Sequence, residues 1–249
     1  MIVSRKKTNR FLYILIKWVV ILHLIFLATG AVVVFIYKYT NPRVTSLSLY
    51  RQYVQGVKNQ PFEFIPLKEL DPSIKKVLIK LEDPQFKRHY GIDLDAMMAA
   101  YKINKKYNKT LAGGSTITQQ LVRTLFLLPN KNYLRKYLEV LLALEMELIL
   151  NKNRILELYF NNVEFGKGVY GIGPAAKHYF KTSVYNLSTE QLTQLLIILP
   201  SPIKYSPKDI QRKSFFRKRY RILARDPVLN KYVDEPEIEG AEHLSEFPK

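Results

Sequence analysis

From residue 71 to residue 223 the apolar side chains recur mostly at intervals of three and four. Strand-like alternation is scarce, so the pattern predicts a mostly α fold. Asp71 and Pro72 suit the N-cap and first position of a helix, and Ile74, Val77, Leu78 and Leu81 make one buried stripe along it. Pro84 disfavours helical geometry at Asp83, which ends the helix there. Further helices are expected over 93–103, 115–128 and 132–150, with Asn153 capping a helix that begins RILELYF. Ser188 and Gln191 form a capping-box pattern ahead of LTQLLIIL, and Pro200, Pro202 and Pro207 close that segment. A basic helix follows over 212–223. Residues 104–114 and 164–173 read as loops, the second because its four glycines weaken any regular element. Residues 41–70, with Pro42, Pro61 and Pro66, read as a connector.

Ahead of this lies a different pattern. Residues 18–37, WVVILHLIFLATGAVVVFIY, hold no formal charge, and twenty helical residues match the hydrocarbon thickness of a bilayer. Trp18 and Tyr37 bracket the run as interfacial aromatics. Arg5, Lys6, Lys7 and Arg10 precede it, and Lys17 can snorkel to the same interface. The expected arrangement is a basic cytoplasmic tail over 1–17, a single uncleaved span over 18–39, a connector over 40–64, a folded domain over 65–225 outside the cytoplasm, and an acidic, flexible tail over 226–249. A cleaved signal peptide would have a shorter apolar region ending in small residues.

The formal charge of +18 points to anionic partners. An exported domain beside a membrane meets phosphate as lipid headgroups and lipid-linked substrates, so no nucleic-acid partner is expected. The absence of cysteine excludes a disulfide scaffold and thiolate-bound metal.

Candidate chemistry concentrates in three stretches. In LEDPQFKRHYGIDLD, 81–95, Glu82 sits at a helix C-terminus, where the helix dipole disfavours added negative charge, and Asp83 adjoins it. A carboxylate so placed is readied to accept a proton. The bland alternative is a solvated helix end, and His89 alone reads as a structural histidine whose nearest partners would be Glu82 or Asp93. In GGSTITQQ, 113–120, glycines before a helix start leave backbone N–H groups for an anion, and Ser115, Thr116, Gln119 and Gln120 add donors; an ordinary capped helix is the alternative. In RKYLE, 135–139, Arg135 and Glu139 are i, i+4 neighbours, either a surface pair or part of a site. GKGVYG, 166–171, matches GxGxxG without the strand context of a dinucleotide site.

Taken in order, EDPQFKRHYGID (82–93), GGSTITQQL (113–121), RKYLE (135–139), RILELYFNNVEFGKGVYGI (154–172) and the looser Lys218–Arg219 ahead of Ile222 and Leu223 resemble the motifs of glycosyltransferase family 51. This is the peptidoglycan glycosyltransferase domain found alone in monofunctional biosynthetic transglycosylases and fused in class A penicillin-binding proteins. No transpeptidase domain is expected after residue 223, which favours the monofunctional form. The resemblance implies a mostly α, lysozyme-like, two-lobed fold at the outer face of a bacterial cytoplasmic membrane. It implies lipid II and the growing glycan strand as substrates, with other cell-wall synthesis proteins as further partners.

By resemblance Glu82 is the general base, Asp83 orients its surroundings or assists a divalent cation (magnesium or manganese), and Glu139 positions the donor or leaving group. Ser115, Thr116, Gln119 and Gln120 would line the donor side, with His89 among the binding residues, and Arg123, Lys131 and Arg135 would meet the pyrophosphate. No cofactor is required by the sequence. Arg123 stands where the family usually has lysine, and Gly173 and Pro174 replace a commoner acidic-alanine pair. The rival expectations are a lysozyme-like glycan hydrolase and an inactive membrane scaffold of a wall-synthesis complex. Phe62, Phe64 and Leu67 are expected to dip into the bilayer.

Overall fold

A computed structural model describes residues 2–109, 111–130, 132–210, 212, 214–225 and 229. Lys131 and, apart from Leu229, the acidic tail lie outside the described residues. The chain opens with a long helix, α1 (Ile2–Tyr37), followed by a single turn α2 (Ser46–Leu49) and a π-helical turn over Tyr50–Val54. Then come α3 (Pro72–Glu82), α4 (Leu94–Tyr107), α5 (Ile117–Phe126), α6 (Tyr133–Ile149) and α7 (Lys152–Asn162). A short antiparallel hairpin of β1 (Glu164–Gly166) and β2 (Val169–Tyr170) leads to α8 (Ile172–Phe180), α9 (Thr189–Ile197) and α10 (Ser214–Ala224).

The helix starts follow from their caps. Asp71, Asp93, Thr116, Asn132 and Ser188 each accept a backbone N–H of the first turn, satisfying donors that would otherwise have no intrahelical partner. At α7 the cap is Asn151, whose side chain accepts from Arg154 N, two residues before the expected Asn153. The expected loop at 164–173 contains the hairpin, turned at Gly168 with φ +75°, where a Cβ would lie 2.6 Å from Lys58 O. Glu164 of β1 receives both Nε and Nη2 of Arg51 at 3.1 Å and the hydroxyl of Tyr170, which ties the segment after α1 to the domain.

The core gathers around α5. Its Ile117, Leu121 and Val122 pack with Ala143 and Met146 of α6 and with Ile155, Leu158 and Tyr159 of α7, all essentially inaccessible. α3 lies on α9 and α10 through Ile74, Val77 and Leu78. Burying a side chain of this size contributes roughly 1.5–3 kcal/mol each. By contrast α4 buries only Ala100 and stands at the edge with Leu94, Met98, Tyr101 and Tyr107 exposed. Of the side chains expected to enter the bilayer, Leu67 is 6% exposed and belongs to the core, because its 3₁₀ turn packs on α7.

α1 is docked along the domain. Gly30 lies against Leu142 and Glu145 of α6, Val34 is fully buried, and Tyr37 stacks on Phe126 with ring centroids 5.9 Å apart. Further toward the N-terminus, His23 Nε2 lies 3.2 Å from the Tyr137 hydroxyl. These pairings make α1 and α6 run in the same direction. Arg154 of α7 closes the C-terminal end of α1, donating to the main-chain oxygens of Tyr37 and Thr40 and to Asn41 Oδ1.

Candidate active site

Glu82 is the last residue of α3, and its carboxylate is held from two sides. Arg219 of α10 donates through Nη2 to Oε1 at 2.5 Å, and Gln120 of α5 donates through Nε2 to Oε2 at 3.1 Å. Gln120 in turn accepts the hydroxyl of the fully buried Tyr159 at 2.9 Å. Burial pushes that hydroxyl well above its ordinary pKa, and the negative charge of Glu82 adds to the effect. Tyr159 therefore stays a neutral donor and fixes which end of the Gln120 amide faces the acid.

A second carboxylate sits deeper. Glu139 is fully buried and receives Arg135 Nη1 at 2.8 Å and Lys136 Nζ at 2.6 Å. The pair expected at i, i+4 thus forms, but around an inaccessible carboxylate. Lys136 also donates to Ser115 Oγ at 3.1 Å, and Gln120 Nε2 lies 3.5 Å from Ser115 O. A continuous polar chain therefore runs Glu82–Gln120–Ser115–Lys136–Glu139. Arg123 of α5, half-buried, has no ion pair among the described residues, and its charge is felt at Tyr159 together with those of Glu82, Asp83 and Arg219.

Other expected site residues do different work. Asp83 is 4% exposed; it accepts His89 Nε2 at 2.9 Å and the backbone N–H of Ile117 at 3.0 Å. His89 is thus partnered by Asp83 rather than by Glu82 or Asp93, and together they pin the loop after α3 to the start of α5. Thr116 caps α5 and donates to Gly91 O, and Gln119 folds back to accept Thr116 N at 3.1 Å with no exposure of its own. These two residues do not line a donor-side cleft. The start of α5 is also not a free anion cradle, since the N–H groups of Thr116, Ile117 and Gln119 are already bonded. Gly114 serves close approach instead: a Cβ there would lie 2.6 Å from Met97 Cα on α4.

Among the described residues no group of three or more His, Cys, Asp or Glu side chains is placed to hold a metal ion. With Asp83 committed to His89 and a backbone amide, these residues do not fit a divalent-cation site.

Three participants escaped the sequence reading. Lys136 is adjacent to the Arg135 it resembles, and its i, i+3 spacing from Glu139 was the available signal. Tyr159 stood only as one position of the 154–172 motif, with no role of its own. Arg219 carried only the loosest of the motifs, and its reach across 137 residues to Glu82 has no local signature.

The site thus places a proton acceptor and a group of cations in one connected network, equipment for acid–base chemistry on an anionic substrate. The transglycosylase family model matches residues 50–227. The chain is 36% identical over 204 residues to the biosynthetic peptidoglycan transglycosylase of Caulobacter vibrioides, covering 82% of this chain and 87% of that protein. Identity to the protein of the same name from Cupriavidus metallidurans is 42% over 165 residues, or 66% and 71% of the two chains. With that of Bdellovibrio bacteriovorus it is 36% over 226 residues, 88% of each. The chain belongs to the transglycosylase family, whose mostly helical, lysozyme-like fold is the one its motifs imply.

Proposed function

We propose that this protein is a peptidoglycan glycosyltransferase that polymerises lipid II into glycan strands at the outer face of the cytoplasmic membrane. The single observation that carries the mechanism is the link from the Glu82 carboxylate through Gln120 and Ser115 to Lys136. Glu82 takes the proton from the C4 hydroxyl of the acceptor GlcNAc as its oxygen attacks C1 of the donor MurNAc. The bond from C1 to the pyrophosphate oxygen breaks in the same displacement, so the configuration inverts from α to β and undecaprenyl pyrophosphate departs.

The departing diphosphate needs positive charge where its own charge grows. Arg123 has no ion pair among the described residues, and Arg135 and Lys136 flank Ser115 and Glu139. Preorganised cations of this kind act on the charge that develops at the leaving group and lower the barrier by roughly 2–4 kcal/mol each. Glu139 holds Arg135 and Lys136 in place. No step is assigned to a metal ion.

Placement at a membrane is supported by α1, which from Arg10 to Tyr37 is long and apolar enough to cross one. It is also supported by the exposed apolar side chains of α4, which carries Lys102, Lys105 and Lys106 as well, and by the exposed Tyr133 and Leu134 at the start of α6. The basic residues ahead of the apolar run support a cytoplasmic N-terminus with the catalytic domain outside.

The test is incubation of the purified full-length protein with lipid II and resolution of the products by gel electrophoresis. Polymer is expected from the parent and none from Glu82→Gln. Polymerisation by a folded Glu82→Gln protein would overturn the assignment of the base.

A further inference from the structure

Arg219 comes from α10, at the far end of the domain sequence, yet it makes the closest contact to the carboxylate on which the proposed reaction turns. Its Nη2 lies 2.5 Å from Glu82 Oε1, and its Nη1 reaches Leu81 O at 3.4 Å, so one guanidinium grips both the acid and the helix end that bears it. The side chains of Arg219 and Glu82 are 13% and 8% exposed, which limits screening of the pair by water. The Nε of Arg219 is buried without a hydrogen-bond partner among the described residues. Within α10, Phe216, Tyr220 and Leu223 are buried, which fixes the direction in which Arg219 projects.

The other groups around Glu82 do not duplicate this contact. Gln120 is neutral and holds the second oxygen, and Tyr159 bonds Gln120. Arg123 lies close enough for its charge to be felt at Tyr159 but makes no ion pair among the described residues. Asp83 has the same sign as Glu82 and is turned to His89 and Ile117 N.

We propose that Arg219 is the positioning residue of the general base: it aims the Glu82 carboxylate and ties it to the C-terminal end of α3. The inference rests on the reading of Glu82 as the base. A base works at the moment of attack only if it already points at the proton it takes, and a grip on both the acid and the helix end that bears it holds that aim. Lysine at this position would keep the charge but lose the fork that grips Leu81 O and Glu82 together. Docking of α10 thereby becomes a condition for activity rather than only for stability.

The experiment measures kcat and KM separately for polymerisation of lipid II by the full-length protein, for the parent and for Arg219→Gln, Arg219→Met and Arg219→Lys. Folding of each is checked by circular dichroism and melting temperature. In Arg219→Gln and Arg219→Met kcat is expected to fall about tenfold with KM close to the parent's. Arg219→Lys, which keeps the charge without the fork, should recover only part of that loss. A parent-like kcat in a folded Gln or Met variant, or a loss carried by KM alone, would reduce Arg219 to a packing residue and overturn the proposal, as would failure of both variants to fold. If Glu82→Gln remains active, the reading of the base fails. If Glu82→Gln is inactive while the folded Arg219 variants keep the parent's kcat, only this inference fails.

Discussion

The Nε of Arg154 donates to the main-chain oxygen of Tyr37 at 2.9 Å, joining the last turn of the N-terminal helix to a helix 117 residues further along the chain. The same guanidinium serves Thr40 O, Asn41 Oδ1 and Glu157, so it supplies donors to carbonyls that a helix end leaves unpaired. Replacing Arg154 by Ala removes these charge-assisted bonds, each worth about 1.5–3 kcal/mol. Glu157 keeps the N–H of Leu67 as a partner. The expected result is a loss of about 2–3 kcal/mol in the stability of the docked helix, read as a lower melting temperature of the full-length protein in detergent. An unchanged melting temperature would mean that α1 is held by its apolar contacts alone.

Glu139→Gln strips the counter-charge from Arg135 and Lys136. Breaking a buried pair by removing one partner is costly, about 3–5 kcal/mol. Both cations retain some exposure, 16% and 32%, and can recruit water, so the lower end applies. The variant should melt at a lower temperature and polymerise lipid II poorly. Melting temperatures and polymer yield measured on one preparation decide this; a stable variant with full yield would show that the cations organise themselves.

Alkaline pH should weaken the fold through its buried tyrosines. Burial raises Tyr159 and Tyr170, and the neighbouring carboxylates Glu82 and Glu164 raise them further. An unfolded tyrosine loses its proton near pH 10, while these two keep theirs in the folded protein. From about pH 10 upward the folded state therefore binds more protons than the unfolded one, and stability falls as pH rises; below that pH the contribution is fully present. Tyr159→Phe should flatten this decline. At pH 7 it should lose about 1 kcal/mol, since Gln120 Oε1 loses its donor. Melting temperatures from pH 7 to 11 test both, and a parent-like alkaline slope in Tyr159→Phe would count against this account.

Gly114→Ala should be felt although a single methyl is added. The new Cβ would meet the Met97 Cα and N and the Ala96 carbonyl oxygen at 2.6–2.9 Å, all of them backbone atoms that cannot swing aside. α4 must shift, and Ser115 next door would move with the loop. A several-fold fall in polymerisation is expected with a modest loss of stability. Gly113→Ala, where no atom lies within 4 Å, is the control and should behave as the parent.

Much of this was legible in the sequence because it is local. Asp71, Pro72 and Pro84 bound α3 to the residue, since caps and prolines act on their own turn. The capping box of Ser188 and Gln191 marked the start of α9 for the same reason. α8 was not seen: it starts at the positive-φ Gly171, with no side-chain cap, inside a stretch whose glycines read as loop. In the site, Glu82 and the pairing of Arg135 with Glu139 could be read from spacing. The partners of Glu82 could not, because Arg219 and Gln120 reach it across 137 and 38 residues. Thr116 and Gln119 looked like ligand donors because capping and ligand binding draw on the same residue types.

α1 from Arg10 to Tyr37 has 28 residues, about 42 Å of helix, against about 30 Å of hydrocarbon in a bilayer. About two turns are left over, and the docking of α6 beside His23 and Gly30 puts that surplus at the domain's end. If α1 crosses the membrane as proposed, it is a ruler as well as a tether: it would set Arg135, Lys136 and Glu82 at a fixed height over the bilayer midplane, where the diphosphate of a lipid-borne sugar would be presented. Deleting or inserting a turn within 11–22 would raise or lower that height without touching a single residue of the site.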